Sequence, residues 1–286
     1  MNNSIRFVFN NIYYYWNFLG FEFLIFYNFK KVNLNYKTQG IILNKYKTGD
    51  YDGFYVALTK DFGKVNFFAK SSRKNKAKLT YHLEPGSLSD LYFVPRIRRE
   101  SFLLTGADLL LKPSFEKLGN KEIVLYNQAI NLTSRLVSFE IMEVDKIFLV
   151  FDILKQYLTD FTKLSKIENN NEISKQHRAR QYLFQAGFIL KLLDYAGFRP
   201  NLKQCNYCGK KISAGKGIFY DLQNSVLTCC TQRLSFDGIE KVSFDCLKLT
   251  NFLLNNDFDK MEKVKVEDEI VSEVWRFSIN HLKYCL

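Results

Sequence analysis

A chain of 286 residues with 47% hydrophobic side chains can bury a sizeable core, which excludes a wholly disordered polymer and suits two modest domains or one large one. A formal net charge of +12 argues against an acidic scaffold and points to a polyanionic partner, of which nucleic acid is the commonest. The six cysteines form no regular disulfide framework, so a small secreted stapled fold is excluded and a reducing compartment, the cytoplasm, is expected.

The first 36 residues are aromatic and apolar from Ile5 to Phe29, yet Asn10, Asn11, Asn17, Glu22 and Asn28 interrupt them. A membrane-spanning helix needs roughly 20 nearly uninterrupted apolar residues, and a signal peptide needs a basic start and a small-residue cleavage site. Neither pattern is met, so residues 1–36 read as a disordered extension or as the product of a start codon placed too early, with Val32 or Leu34 near the true start. No membrane partner is expected.

From Thr38 to Leu111 the pattern is β. Five runs stand out: Thr38–Lys47, Gly53–Lys60, Lys64–Lys70, Leu88–Val94 and Phe102–Leu110. Turn signals separate them at Thr48-Gly49-Asp50, Asp61-Phe62-Gly63, Glu84-Pro85-Gly86 and Pro95. Five short strands in about 75 residues match a small barrel such as an OB-fold. An SH3-like barrel or a small sandwich gives the same pattern. This segment, 37–112, is the first domain.

Two basic segments interrupt the strands. Between Lys70 and Arg99 there are eight Lys or Arg (Lys70, Arg73, Lys74, Lys76, Lys78, Arg96, Arg98, Arg99) against two acids, Glu84 and Asp90. Clustered flexible cations bind phosphates through counterion release. The competing reading is a solvated charged loop. Phe54, Tyr55, Phe67 and Phe68 are candidates for base stacking or for barrel core. The chain is rich in Phe throughout, which favours core for most of them.

Beyond Lys112-Pro113-Ser114, where Ser114 suits an N-cap, the period becomes helical. Ile147, Val150, Phe151, Leu154, Tyr157, Leu158 and Phe161 recur at helix spacing. Residues 165–174 are polar and read as a loop. A helix is expected over Gln176–Ala196, stopped by Gly197 and Pro200, and two more near Phe244–Asn255 and Val266–Tyr284. Residues 113–286 thus form a helical domain, interrupted at 203–235 by a cysteine segment.

There, Cys205-Asn206-Tyr207-Cys208-Gly209 has the form of a zinc knuckle. Cys229 and Cys230 follow at zinc-ribbon distance but are adjacent, and the side chains of neighbours diverge, so a tetrahedral site using both is expected to be strained. Cys246 is a possible substitute ligand. One structural zinc and a decayed, metal-free knuckle are both open readings. His82, His177 and His281 form no cluster, and no Walker, Rossmann, GxSxG or HExxH motif is present, so no enzyme activity is expected.

The order of these segments resembles the RecO family. Thr38-Gln39-Gly40-Ile41-Ile42-Leu43, Leu58 to Lys64, Ala69-Lys70 with Arg73-Lys74, and Leu83-Glu84-Pro85 are similar to its first domain. Leu192 to Leu202 leading into Cys205 and Cys208, then Phe219-Tyr220-Asp221 to Cys229, resemble its second. The resemblance implies an α+β multidomain protein: an N-terminal five-stranded OB-fold barrel, then an all-helical domain with a zinc-ribbon-like insertion. It implies a cytoplasmic, nucleoid-associated mediator of recombination and DNA repair, monomeric alone. Such a protein binds single- and double-stranded DNA, anneals strands, and works with RecR and the C-terminal tail of single-stranded DNA-binding protein. Arg135, Lys146 and Lys155 are candidates to meet that tail. Three departures stand out: Ser71 where many members have glycine, Gly53-Phe54 where many have a basic residue, and the broken second cysteine pair. An RNA-binding OB protein of the translation machinery, a zinc-ribbon transcription or assembly factor, and an enzyme of unknown class are the competing readings.

Overall fold

Each β-rich run alternates between a face that can fill a barrel and a face that must meet something else, and both demands are met. In the computed structural model the described residues are 6–9, 12–15, 35–73, 78–96, 101–112, 120–138, 144–164, 173–214, 217–230 and 238–285. They fall in two units, Met1–Asn35 and Tyr36–Leu286. In the first, β1 (Arg6–Phe9) and β2 (Ile12–Tyr15) pair as an antiparallel hairpin with Phe9 opposite Ile12. The rest of the stretch read as an extension lies almost wholly outside the described residues, as does the expected N-cap Ser114.

The second unit begins with a closed barrel. Its strands are β3 (Tyr36–Thr48), β4 (Asp52–Thr59), β5 (Gly63–Ala69), β6 (Leu88–Val94) and β7 (Phe102–Leu111), in the order β3-β4-β5-β7-β6. Every pairing is antiparallel except β5 with β7, which closes the barrel. Between β5 and β6 lies a short helix, α1 (Lys78–His82). The basic segment 70–78 therefore ends in a helix rather than a plain loop. Five residues are too few for a periodic signal. Ile42, Tyr55, Ala57, Phe67, Leu91, Phe93 and Leu104 fill the interior.

Ile41, Leu43 and Leu58 point the other way, out of the barrel, yet they are as buried as the interior. They belong to the core of the helical part. That is why Ile41-Ile42-Leu43 is a continuous apolar run: both faces of β3 are covered there.

The helical part contains α2 (Asn120–Leu136), α3 (Val144–Leu164), α4 (Ile173–Tyr195), α5 (Phe244–Asn255), α6 (Phe258–Lys263) and α7 (Asp268–Cys285). Residues 183–190 of α4 are all buried, so α4 is the central helix and has no polar stripe to reveal its face. It stops as expected: Gly197 adopts φ +88° and Phe198 N–H donates to Leu193 O at 2.8 Å. No helix among the described residues is long and apolar enough to cross a membrane.

Polar contacts fix the barrel on the helices. Lys64 Nζ donates to Ser134 O (2.6 Å) and Val137 O (3.0 Å), the free carbonyls at the end of α2. Burial lowers the proton affinity of this lysine. Ser134 Oγ meets Asn44 Oδ1, and Tyr126 OH donates to Gly86 O at 2.7 Å.

Between α4 and α5 the chain builds a small antiparallel sheet, β10-β8-β9, from β8 (Phe219–Asp221), β9 (Val226–Thr228) and β10 (Ile239–Lys241). It is held to α7 by Tyr220, whose ring is 4.8 Å from that of Phe277, and by Glu240 with Arg276 at 2.7 Å.

Candidate functional site

Two places gather the residues singled out by the sequence. The first is one end of the barrel. The parallel register of β5 with β7 sets Phe67 beside Phe102 and Phe68 beside Leu103. The end of β5, which leads into Lys70, and the start of β7, which follows Arg96 and Ser101, therefore lie at the same end. Arg96 confirms this: its guanidinium carbon is 4.3 Å from the centroid of the Phe68 ring, and it donates to Ser101 Oγ at 3.2 Å. Arg73 joins from the other side. Its backbone N–H donates to Tyr51 O at 2.9 Å and its Nη1 to Gly49 O at 3.2 Å, which ties it to the β3–β4 hairpin. Lys70 is exposed. Lys74, Lys76, Arg98 and Arg99 lie outside the described residues, as does the side chain of Lys78.

Two departures from the family pattern acquire a local explanation. Ser71 adopts φ +56°, the left-handed region that glycine enters at no steric cost. Its N–H donates to Asp52 Oδ1 at 2.7 Å, so the carboxylate holds the turn at Ser71. Position 53 faces inward: a Cβ there would lie 2.6 Å from both Ser72 Oγ and Tyr55 Cε2. A long basic side chain has no room at 53, and the outward position next to it carries Phe54.

The second place is the cysteine knuckle. Gly209, at φ +68°, closes the Cys205–Cys208 turn, with Gly209 N–H donating to Cys205 O at 2.9 Å. After β9, Thr228 Oγ1 accepts from Cys230 N–H at 3.0 Å. This local turn ends the strand alternation and carries Cys230 to the same side as Cys229. The expected divergence of the adjacent pair is thus corrected: the ligand sulfurs of Cys205, Cys208, Cys229 and Cys230 all lie within 4.8 Å of one another. Cys205 Sγ is 3.9 Å from Cys230 Sγ, and Cys208 Sγ 3.6 Å from Cys229 Sγ. These separations are too long for disulfides. A tetrahedral zinc site with Zn–S of about 2.3 Å has sulfur–sulfur edges of about 3.8 Å, between those two distances. Cys246 is not in this cluster. It is buried on α5 within the helical core, where burial pushes its thiol up to about 12.

Burial opposes ionisation of Cys205, but N–H donors from Cys229, Cys208 and Tyr207 outweigh it and draw the thiol down to about 5. Cys230 is pushed up to about 12 by its hydrogen bond to Cys208 and by burial. Cys229 is also raised, by its hydrogen bonds to Cys208 and Cys205, and a bound dication would draw both Cys229 and Cys230 back down.

Of the other sequence candidates, Arg135 on α2 and Lys146 on α3 are exposed, and Lys155 on α3 is partly so. His281 is buried in the helical core, with Nε2 2.9 Å from Phe198 O. His82 ends α1 against Ala107 O. The sequence reading passed over Tyr46, which the register of β3 places opposite Phe54. Its signal was present as an aromatic between two lysines, Lys45 and Lys47, in a strand whose neighbours are apolar.

Comparison with known proteins places both halves. A family model described as Recombination protein O N terminal matches residues 33–111, and one described as Recombination protein O C terminal matches residues 129–286. A protein of Alkaliphilus metalliredigens named DNA repair protein RecO is 28% identical over 231 residues, 80% of this chain and 85% of its own length. Proteins of the same name from Dehalococcoides mccartyi and Chloroherpeton thalassium are each 26% identical, over 84% and 87% of this chain and 86% and 92% of their own lengths. With both family models matched in order across barrel and helices, the chain belongs to the RecO family.

Proposed function

We propose that this protein is a non-enzymatic DNA-repair and recombination mediator. It binds single- and double-stranded DNA on the basic end of its barrel and promotes annealing. With RecR and single-stranded DNA-binding protein it helps load the recombinase. The observation that carries the reading is the meeting of Lys70, Arg73 and Arg96 at one barrel end. Lys74, Lys76, Lys78, Arg98 and Arg99 add to the same two segments in sequence. Cations at one end can neutralise two phosphate backbones together, and that neutralisation removes the repulsion opposing annealing. The name carried by the relatives supports a role in repair. The helical domain is the part assigned to the acidic, apolar tail of the single-strand binding protein. The four cysteines hold one structural zinc, which fixes the knuckle against β9 and adds no chemistry to DNA binding. The protein works in the cytoplasm, on the nucleoid.

The test is annealing of complementary labelled oligonucleotides over a salt series, with wild type beside Lys70→Glu/Arg73→Glu/Lys74→Glu. Each phosphate contact contributes roughly 0.7–0.9 to the slope of log affinity against log salt, so the triple variant is expected to lower that slope by about two to three and to abolish annealing. A folded wild type that anneals nothing, or a triple variant that anneals normally, removes the proposal.

A further inference from the structure

The aromatic residues of the barrel divide cleanly. Tyr55 and Phe67 are fully buried in its interior. Phe54 and Phe68, one residue away on the same strands, therefore point outward, and both are partly exposed. The register puts them directly opposite one another across β4 and β5 and puts Tyr46 of β3 directly opposite Phe54. Directly paired residues share a face. Tyr46, Phe54 and Phe68 thus form one row across three adjacent strands on the outside of the barrel.

Toward the other end, Leu58 is buried in the helical core and Lys64 is anchored to the end of α2. The row lies where that cover stops. Tyr46 is 53% exposed, and among the described residues neither Tyr46 nor Phe54 has a ring partner. Among the described residues this aromatic row is left partly in water, which is costly unless it serves a ligand with flat apolar faces. The charge at its edges specifies that ligand further. The Arg96 guanidinium lies on Phe68 at one end of the row, exposed Lys47 follows Tyr46 at the other, and Lys70 and Arg73 lead out of β5 and onto the hairpin beside it. Among the described residues the acids nearby are Asp50 at the hairpin tip and Asp52, whose carboxylate is engaged by Ser71 N–H.

We infer that Tyr46 and Phe54, continued by the Phe68–Arg96 stack, are a base-stacking platform that selects single-stranded over duplex DNA. Flat rings bordered by cations match a chain of unpaired bases with its phosphates at the edge. Duplex presents the same phosphates but keeps its base faces stacked on each other, so the row adds nothing to duplex binding. The inference rests on the proposed DNA-binding function and assigns the single-strand part of it to specific rings.

The test uses the full chain and three fluorescent probes of equal length: an oligothymidylate, the same backbone with abasic sugars throughout, and a duplex. Wild type is expected to bind oligothymidylate about tenfold or more above the abasic strand, since stacking on one ring is typically worth that much. Tyr46→Ala and Phe54→Ala should each remove most of that ratio and leave duplex affinity within about twofold, because no phosphate contact is lost. Tyr46 is exposed enough that its loss does not threaten folding, and the wild-type ratio alone is informative without any variant. Equal wild-type affinity for base-bearing and abasic strands, with duplex still bound, overturns the platform and leaves the proposed function standing. Variants that weaken duplex and single strand in parallel overturn it equally. A folded wild type that binds none of the three probes removes both.

Discussion

Gly86→Ala is expected to loosen the barrel from the helices. Gly86 adopts φ +83°, and a Cβ there would lie 2.7 Å from Cζ of Tyr126, closer still to Cε1 and the hydroxyl. Tyr126 itself is fully buried on α2, and its hydroxyl donates to Gly86 O. The methyl group therefore strains the backbone and collides with a side chain that has nowhere to go. Left-handed strain costs about 1–2 kcal/mol, overpacking about 1–3, and the displaced hydroxyl about 1, so a loss of about 3–6 kcal/mol is expected. That is a large part of the stability of an ordinary domain. Urea unfolding followed by far-UV circular dichroism measures it, with Tyr126→Phe as the comparison. The Phe variant keeps the ring and loses only the donor to a buried carbonyl, so it should cost about 1–2 kcal/mol. If Gly86→Ala falls within about 1 kcal/mol of wild type, or costs less than Tyr126→Phe, the tight turn against Tyr126 is not what joins the two parts.

Metal content tests the knuckle. Protein purified without chelator should carry about one zinc per chain, Cys205→Ser or Cys230→Ser should lose it, and Cys246→Ala should keep it while losing about 1–2 kcal/mol of stability. Zinc lost with Cys246→Ala instead would mean that the ligand set is wrong. Acid should weaken the fold through His281. Burial lowers its proton affinity below the ordinary 6.5, against a smaller opposing effect of Phe198 O. Above pH 6.5 both folded and unfolded chains hold it neutral. Below that, the unfolded chain takes a proton that the folded chain refuses, so stability falls by up to about 1.4 kcal/mol per pH unit down to the folded pKa. Unfolding midpoints at pH 7.5, 6.5 and 5.5 should therefore drop more steeply for wild type than for His281→Gln; parallel profiles would exclude the residue as the cause.

The barrel strands were legible because alternation and turn chemistry are local. The runs expected at Leu88–Val94 and Phe102–Leu110 are strands, the second longer by one residue. The helix stop at Gly197 was legible for the same reason, since a left-handed C-terminal residue announces itself as glycine. The short helix α1 was not, and neither was α6. Five or six residues complete less than two turns and leave no period to detect.

Sequence by itself determined the order of elements, the family, the two basic segments and the presence of a cysteine knuckle, because each is written in neighbouring residues. Tertiary structure decided which residues share a place. Cys229 and Cys230 looked incompatible as neighbours in an extended strand, but a hydrogen bond from Cys230 to Thr228 turns the chain and brings all four sulfurs together. Cys246, equally plausible by spacing, is carried into the helical core. Phe54, Tyr55, Phe67 and Phe68 were indistinguishable as a list. Pairing across β4 and β5 fixed their register, and packing of α2 and α3 over one end of the barrel settled which face stayed open. Strand alternation is a local property, but which of two faces meets water depends on what the remainder of the chain covers.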